Sequence, residues 1–236
     1  MSRTPESGSR SNAAYHLFLP LWQRVVFVDW FGVLSTDLFW HSIVTRETHP
    51  HHRSVELATA TLFRQKPDLV KNWMRGRVNS AAIVDQLELP LNRRYKADFF
   101  LRRLLDDCRR MTYRADLLSG IRRLIPNAHI LIATDNMDCF ASQLPKMRSL
   151  RFEVDDVLVS SKLGVLKTDS VKEFFGQWLR DHALTFERAL LIDDNAKTCD
   201  AFRRLGGDAI VFSTVDATLD ELAKRVLAKL HDQHGK

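Results

Sequence analysis

Arg24-Val25-Val26-Phe27-Val28-Asp29-Trp30-Phe31-Gly32-Val33-Leu34 runs four apolar, mostly β-branched residues straight into a carboxylate, then into an aromatic pair and a glycine. A short all-apolar run bounded by a turn signal is the pattern of a strand buried on both faces of a parallel sheet. Asp29 then stands at the carboxyl end of that strand, the edge at which open α/β sheets bind ligands. An aspartate there also serves simply to cap a turn, so its meaning depends on what the rest of the chain places beside it.

Beyond about residue 115, apolar runs and helical patterns alternate. A helix over 115–125 leads to the strand His129-Ile130-Leu131-Ile132-Ala133, which ends at Thr134-Asp135-Asn136. A helix over 140–147 leads to Val157-Leu158-Val159, which ends at Ser160-Ser161 and a loop carrying Lys162, Gly164 and Lys167. After a helix over 170–181, the strand Ala189-Leu190-Leu191-Ile192 ends at Asp193-Asp194-Asn195. A helix through Leu205, the turn Gly206-Gly207, a strand over 209–212 and a helix with Leu219, Leu222, Val226 and Leu230 on one face follow. This spacing implies right-handed crossovers and a Rossmann-like, doubly wound parallel α/β sheet, with four polar clusters on one edge.

Between the first strand and residue 115 the periodicity is helical. Apolar stripes fall at Phe39, Trp40, Ile43 and Val44, then at Leu57, Ala58, Thr61, Leu62 and Phe63, where Pro67 must end or restart the helix. Leu69, Val70, Trp73 and Met74 precede Gly76, Asn79 or Ser80 offers an N-cap for a helix through Ile83, Val84 and Leu87, and 97–111 is strongly amphipathic. The expected organisation is a disordered tail over 1–14, an α/β core over 15–34 and 115–236, and an all-helical insertion over 35–114.

With 236 residues, 45% hydrophobic and 27% charged, the composition is that of a soluble globular protein. No apolar run is long enough to cross a bilayer, and the proline-interrupted Tyr15–Pro20 segment is too short for a signal peptide; it is expected to pack beside the first strand. The net charge of +6 favours an anionic ligand, while no nucleic-acid motif is present. Cys108, Cys139 and Cys199 lack metal spacing and point to a reducing, cytoplasmic setting. His49-Pro50-His51-His52 offers imidazoles on a proline-broken loop, a poor scaffold for a metal.

Taken together, these strand ends resemble the motifs of the haloacid dehalogenase-like (HAD) hydrolase superfamily, and the match runs from about Arg24 to Phe212 with the helical insertion in the place of that family's cap. The resemblance implies that Asp29 is the nucleophile, Thr134 the hydroxyl of the second motif, Lys167 the lysine of the third and Asp193-Asp194 the acidic pair of the fourth. It further implies that Mg²⁺ is held by Asp29, the Phe31 carbonyl, Asp193 and Asp194, with Phe31, Thr134, Asp135 and Lys167 facing a small phosphorylated substrate.

The chemistry is coherent on its own terms. A carboxylate nucleophile splits phosphate-ester hydrolysis into two steps through an aspartyl-phosphate. Clustered carboxylates are the hard oxygen ligands Mg²⁺ prefers, and an ammonium with a hydroxyl can hold the non-bridging oxygens. Each residue also has a plainer reading: Asp193-Asp194-Asn195 as a helix cap, Thr134 as a turn residue, Lys167 as a solvated side chain.

Four departures matter. Phosphatases of the family carry a second aspartate two residues after the nucleophile as general acid and base, and here that residue is Phe31. Asp135 stands where asparagine is common, and Thr168 and Thr198 replace other usual residues. Three readings follow: a Mg²⁺-dependent phosphohydrolase or phosphotransferase; a metal-independent haloacid dehalogenase, whose nucleophile is followed by an aromatic residue at the same spacing; or a binding or regulatory protein without turnover. In the insertion, Trp73 or Arg77, beside the Gly76 turn, is expected to approach the site.

Overall fold

The computed structural model describes residues 25–90 and 95–234; the expectations for the 1–14 tail, the Tyr15–Pro20 segment and the side chain of Leu230 lie outside the described residues. Strand β1 (Val25–Val28) is followed by helices α1 (His41–Val44), α2 (His52–Gln65), α3 (Pro67–Met74), α4 (Ser80–Gln86) and α5 (Phe99–Arg109). The chain continues with α6 (Ala115–Leu124), β2 (His129–Thr134), α7 (Asp138–Gln143), β3 (Asp156–Val159), α8 (Ser160–Leu163) and α9 (Val171–Asp181). It closes with β4 (Ala189–Asp193), α10 (Ala196–Arg204), β5 (Asp208–Val211) and α11 (Val215–His234).

The five strands form one parallel sheet in the order β3-β2-β1-β4-β5. β1 is central, its Val28 level with Ile132 of β2 and Ile192 of β4. Alternation along β1 divides the core in two. Val26 and Val28 face the side covered by α6, α7, α11 and the helices that follow β1. Val25 and Phe27 face α9 and α10, where Phe27, Phe175 and Phe202 pack edge to face or tilted with centroids 4.7–6.2 Å apart. Because every connection is a crossover, the polar ends of β1, β2, β3 and β4 emerge along one edge, as the sequence pattern requires.

The inserted helices share the first of these cores: Trp40, Ile43, Trp73, Ile83 and Leu104 are fully buried in it. In α2 the buried positions are Val55 and Leu62, whereas Leu57 is 50% exposed. Leu57 lies about 200° around the helix from Val55, so the stripe read from the sequence was centred on the wrong face. Pro67 restarts the helix as expected: α2 ends at Gln65 and the proline opens α3 in its first turn. Other boundaries moved for local reasons. The segment after β3 is one turn of helix ended by Gly164 at φ 75°, where the sequence suggested a loop. The helix expected over 140–147 stops at Gln143 and tightens into a 3₁₀ turn containing Pro145.

Insertion and sheet domain are joined by polar contacts beside the strand ends. Asp138, at the start of α7, accepts hydrogen bonds from Trp73 Nε1 (2.9 Å), Ser80 N (3.1 Å) and Ser80 Oγ (2.6 Å). Ser160 Oγ donates to the Met74 carbonyl at 2.6 Å. Gly76, at φ 69°, lies so close to α8 that a Cβ would stand 2.2 Å from the Ser161 carbonyl oxygen. Replacing Asp138 by alanine strips this junction of its acceptor and should cost about 2 kcal/mol. A lower urea midpoint at unchanged slope is the expected result; an unchanged midpoint would show that apolar packing alone holds the insertion.

Candidate active site

The sheet edge gathers the site. Asp29 continues the β1 ladder, its N–H donating to the Ile192 carbonyl (2.9 Å), and its Oδ1 accepts the Trp30 N–H (2.7 Å). The chain then turns sharply: the Gly32 N–H donates to the Ser35 carbonyl and the Ser35 N–H to the Trp30 carbonyl, both at 2.8 Å. Gly32 has φ 89°, and a Cβ there would lie 2.1 Å from Asp194 Oδ2. Glycine is therefore required twice, for the backbone conformation and for the approach of the Asp194 carboxylate. Phe31 rides on this turn with half its surface (52%) exposed, whereas Trp30, Val33 and Leu34 are buried.

Lys167 is the centre of the arrangement. Its Nζ stands 2.9 Å from Asp29 Oδ1 and 2.6 Å from Asp193 Oδ2, and both Lys167 and Asp193 are almost wholly buried. Asp193 Oδ1 accepts the Asn195 N–H at 2.8 Å. The Lys167 backbone N–H donates to Asp135 Oδ1 at 2.8 Å. Asp29, Phe31, Thr134, Asp135, Lys167, Asp193 and Asp194 line one cavity of about 180 Å³, together with Thr168, Asn195 and Thr198. Among the described residues of that lining, Lys167 is the single cation, against four carboxylates.

This imbalance shows in the titration of the groups. Burial raises Asp29 to about 7, Asp193 adding to the effect while Lys167 and the Trp30 N–H oppose it. Asp194 and Asp135 are also raised, burial being the main cause in each. Burial alone would lower Lys167, but the carboxylates of Asp29, Asp193 and Asp135 outweigh it and raise the ammonium further. One oxygen from each of Asp29, Asp193 and Asp194 falls within 4.8 Å of the others, the only such group among the described residues. The set fits a divalent cation: hard oxygen donors, excess negative charge and a glycine that makes room for one of the carboxylates.

Every residue anticipated from the four motifs thus lines one cavity, and the plainer readings hold only in part. The helix-cap duty at the end of β4 falls on Asn195, whose Oδ1 accepts the N–H groups of Lys197 (3.0 Å) and Thr198 (3.3 Å), leaving the aspartates to the cavity. Lys167 is a buried ion-pair partner, not a solvated lysine. Asp135 needs a correction of emphasis, because its carboxylate is engaged by the backbone N–H groups of Lys167 and Thr168 and so braces the lysine loop.

The expectation for Trp73 and Arg77 fails. Trp73 is sealed in the core with its indole N–H on Asp138, Arg77 is exposed, and neither lines the cavity. The insertion reaches the lysine loop through Arg75, one of many arginines of the insertion that the sequence does not tell apart. Its guanidinium forms a two-point bond to Asp169 (2.7 and 2.6 Å), and Asp169 Oδ2 also accepts the Leu166 N–H at 3.2 Å. The available signal was the carboxylate two residues after Lys167. His51 is buried among Tyr95, Phe99 and Phe100, an aromatic packing position.

No protein-family model and no curated protein matches the sequence. Solved structures do match the fold. A predicted HAD-like family hydrolase from Porphyromonas gingivalis is 17% identical with a TM-score of 0.56, over 80% of this chain and 90% of that one. A HAD family enzyme from Bacteroides thetaiotaomicron, solved with magnesium and inorganic phosphate, is 13% identical with a TM-score of 0.55, over 81% and 94%. The L-2-haloacid dehalogenase from Xanthobacter autotrophicus is 16% identical with a TM-score of 0.55, over 79% and 76%. The chain has the HAD-like fold.

The Arg75–Asp169 bond carries a pH signature. Arg75 holds Asp169 below the usual carboxylate range, so the folded-state value lies under the unfolded one of about 3.9. The bond therefore contributes stability above that pH and loses it as the pH falls through the depressed value. Arg75→Gln should cost about 0.5–1 kcal/mol at pH 7, the range for a partly screened pair. In paired denaturation curves the gap should shrink once the pH drops below about 4; a gap of the same size at pH 3 would assign the effect to packing of the arginine stem.

Proposed function

We propose that this chain is a Mg²⁺-dependent phosphohydrolase of the HAD type acting on a small phosphorylated molecule through an aspartyl-phosphate. The observation that carries the reading is the set of three carboxylates, Asp29, Asp193 and Asp194, whose oxygens converge within 4.8 Å beside one lysine. Magnesium, when bound, neutralises these carboxylates and the incoming phosphoryl oxygens. Asp29, Asp193, Asp194 and the Phe31 carbonyl would hold it.

The residues divide the remaining work. Asp29 attacks phosphorus, the bond to the leaving oxygen breaks, and water then attacks the aspartyl-phosphate to release inorganic phosphate and restore the carboxylate. Lys167 and the Thr134 hydroxyl hold the non-bridging oxygens as charge builds on them. The cavity of about 180 Å³ is the size of roughly six water molecules, so it admits a phosphoryl group while the leaving group projects to the mouth. In this reading residues 35–114 form a cap and 15–34 with 115–236 the core. The three buried, unpaired cysteines suit a reducing cytoplasm, and no described helix is long and apolar enough to cross a membrane.

Phe31 favours the dehalogenase reading, because halide leaves carbon without a proton. The acidic pair weighs against it, since Asp193 and Asp194 without a cation would repel an anionic substrate. The phenyl ring also predicts a kinetic form for the phosphatase. With no base beside the aspartyl-phosphate, its hydrolysis is the slow step. Mixing the protein with 4-nitrophenyl phosphate and Mg²⁺ should give a burst approaching one nitrophenolate per chain followed by slow turnover. Chelator or Asp29→Asn should abolish both phases. Folded protein that shows neither phase would leave a binding protein as the better description.

A further inference from the structure

Phe31 is one of several large apolar side chains that stand exposed, and its position sets it apart. It is half exposed at the lip of a cavity whose other lining is almost entirely polar, on a turn whose neighbouring aromatic, Trp30, is buried. Among the described residues that line the cavity, none stands free beside Phe31 to give a proton to a departing oxygen. Asp135 is occupied by two backbone N–H groups, Lys167 by two carboxylates, and Asp194 lies against Gly32 on the cation side. Thr168 and Thr198 offer only hydroxyls, which are too weakly acidic to serve.

We infer that the substrates of this site are aryl phosphate monoesters and that Phe31 is the surface on which the aryl ring stacks. The inference rests on the phosphohydrolase reading and names its substrate class. Two independent properties of an aryl ester meet the two properties of the lip. A phenolate leaves with a conjugate acid near pKa 10, far more acidic than the alcohol left by an alkyl ester, so it departs unprotonated. A flat ring also finds an aromatic partner in place of water. In balance, the phosphorus–aryl oxygen bond breaks as the bond to an Asp29 oxygen forms, and the phenolate takes its proton from solvent. Water then attacks phosphorus as the bond to the Asp29 oxygen breaks, its proton passing to solvent, so the carboxylate is restored and the products are a phenol and inorganic phosphate.

The test has a binding arm and a kinetic arm. Calorimetry with Mg²⁺ present compares benzylphosphonate with methylphosphonate, neither of which can be hydrolysed. Benzylphosphonate should bind about three- to tenfold more tightly, the range for one aromatic contact, and Phe31→Ala should erase the difference. Kinetically, phenyl phosphate should exceed propyl phosphate in kcat/KM by about 10² or more. Acetyl phosphate, with a good leaving group and no ring, separates the two causes: Phe31→Ala should raise KM for phenyl phosphate by about threefold or more relative to its effect on KM for acetyl phosphate. Phe31→Asp, which supplies a proton donor, should narrow the gap between phenyl and propyl esters.

A phosphotyrosine peptide run beside phenyl phosphate distinguishes a protein source of the aryl group from a small-molecule one. Equal affinity for the two phosphonates, or propyl phosphate turned over as fast as phenyl phosphate, would overturn the inference. A ring preference in binding without any Mg²⁺- and Asp29-dependent turnover would instead overturn the phosphohydrolase reading and leave aryl recognition standing.

Discussion

A single ammonium placed between two buried carboxylates organises this molecule. Lys167 pairs with Asp29 and Asp193 from positions nearly removed from water, and burying an ion pair is seldom a net gain in stability. Two further carboxylates, Asp135 and Asp194, share the cavity, so its charge does not balance with the residues present. An arrangement so expensive to a folded chain is understandable when a cation and an anion complete it. The scaffold is built accordingly: Asn195 relieves the aspartates of capping, Asp135 and Asp169 brace the lysine loop, and Gly32 clears the ground for Asp194.

The parallel sheet explains why residues so distant in sequence meet. Crossover connections send β1, β2, β3 and β4 in one direction, so Asp29, Thr134, Ser160 and Asp193 follow apolar runs and emerge on the same edge. The helices inserted after β1 are anchored beside that edge by Asp138, Ser160 and the Gly76 turn. Arg75 extends the anchoring to the loop that carries Lys167, which ties the position of the insertion to the position of that lysine.

What could be read from the sequence follows the same division. The strands were legible because a strand buried on both faces must be apolar throughout, and the polar residue that ends it marks the sheet edge. Asp29, Thr134 and Asp193 were legible because they sit at those ends, and Lys167 because its loop follows the third of them. The insertion was less so. Its helices were recognisable by period, yet which face each presents is set by packing against elements far away in sequence, and Leu57 against Val55 shows the error that results. The same reason hid Trp73, whose size and position beside a glycine turn suggested a site residue, while its indole N–H is satisfied by an aspartate 65 residues away. Arg75 was one arginine among many until Asp169 distinguished it.

The account turns on the claim that Asp29, Asp193 and Asp194 form one divalent-cation site. Calorimetric titration of the folded chain with Mg²⁺, beside Asp194→Asn as a charge-removing variant of nearly the same shape, tests it most directly. One ion bound per chain, with affinity at least tenfold weaker in the variant, is the result the account predicts. Absence of binding to folded wild-type protein, or binding that the variant leaves unchanged, would contradict it.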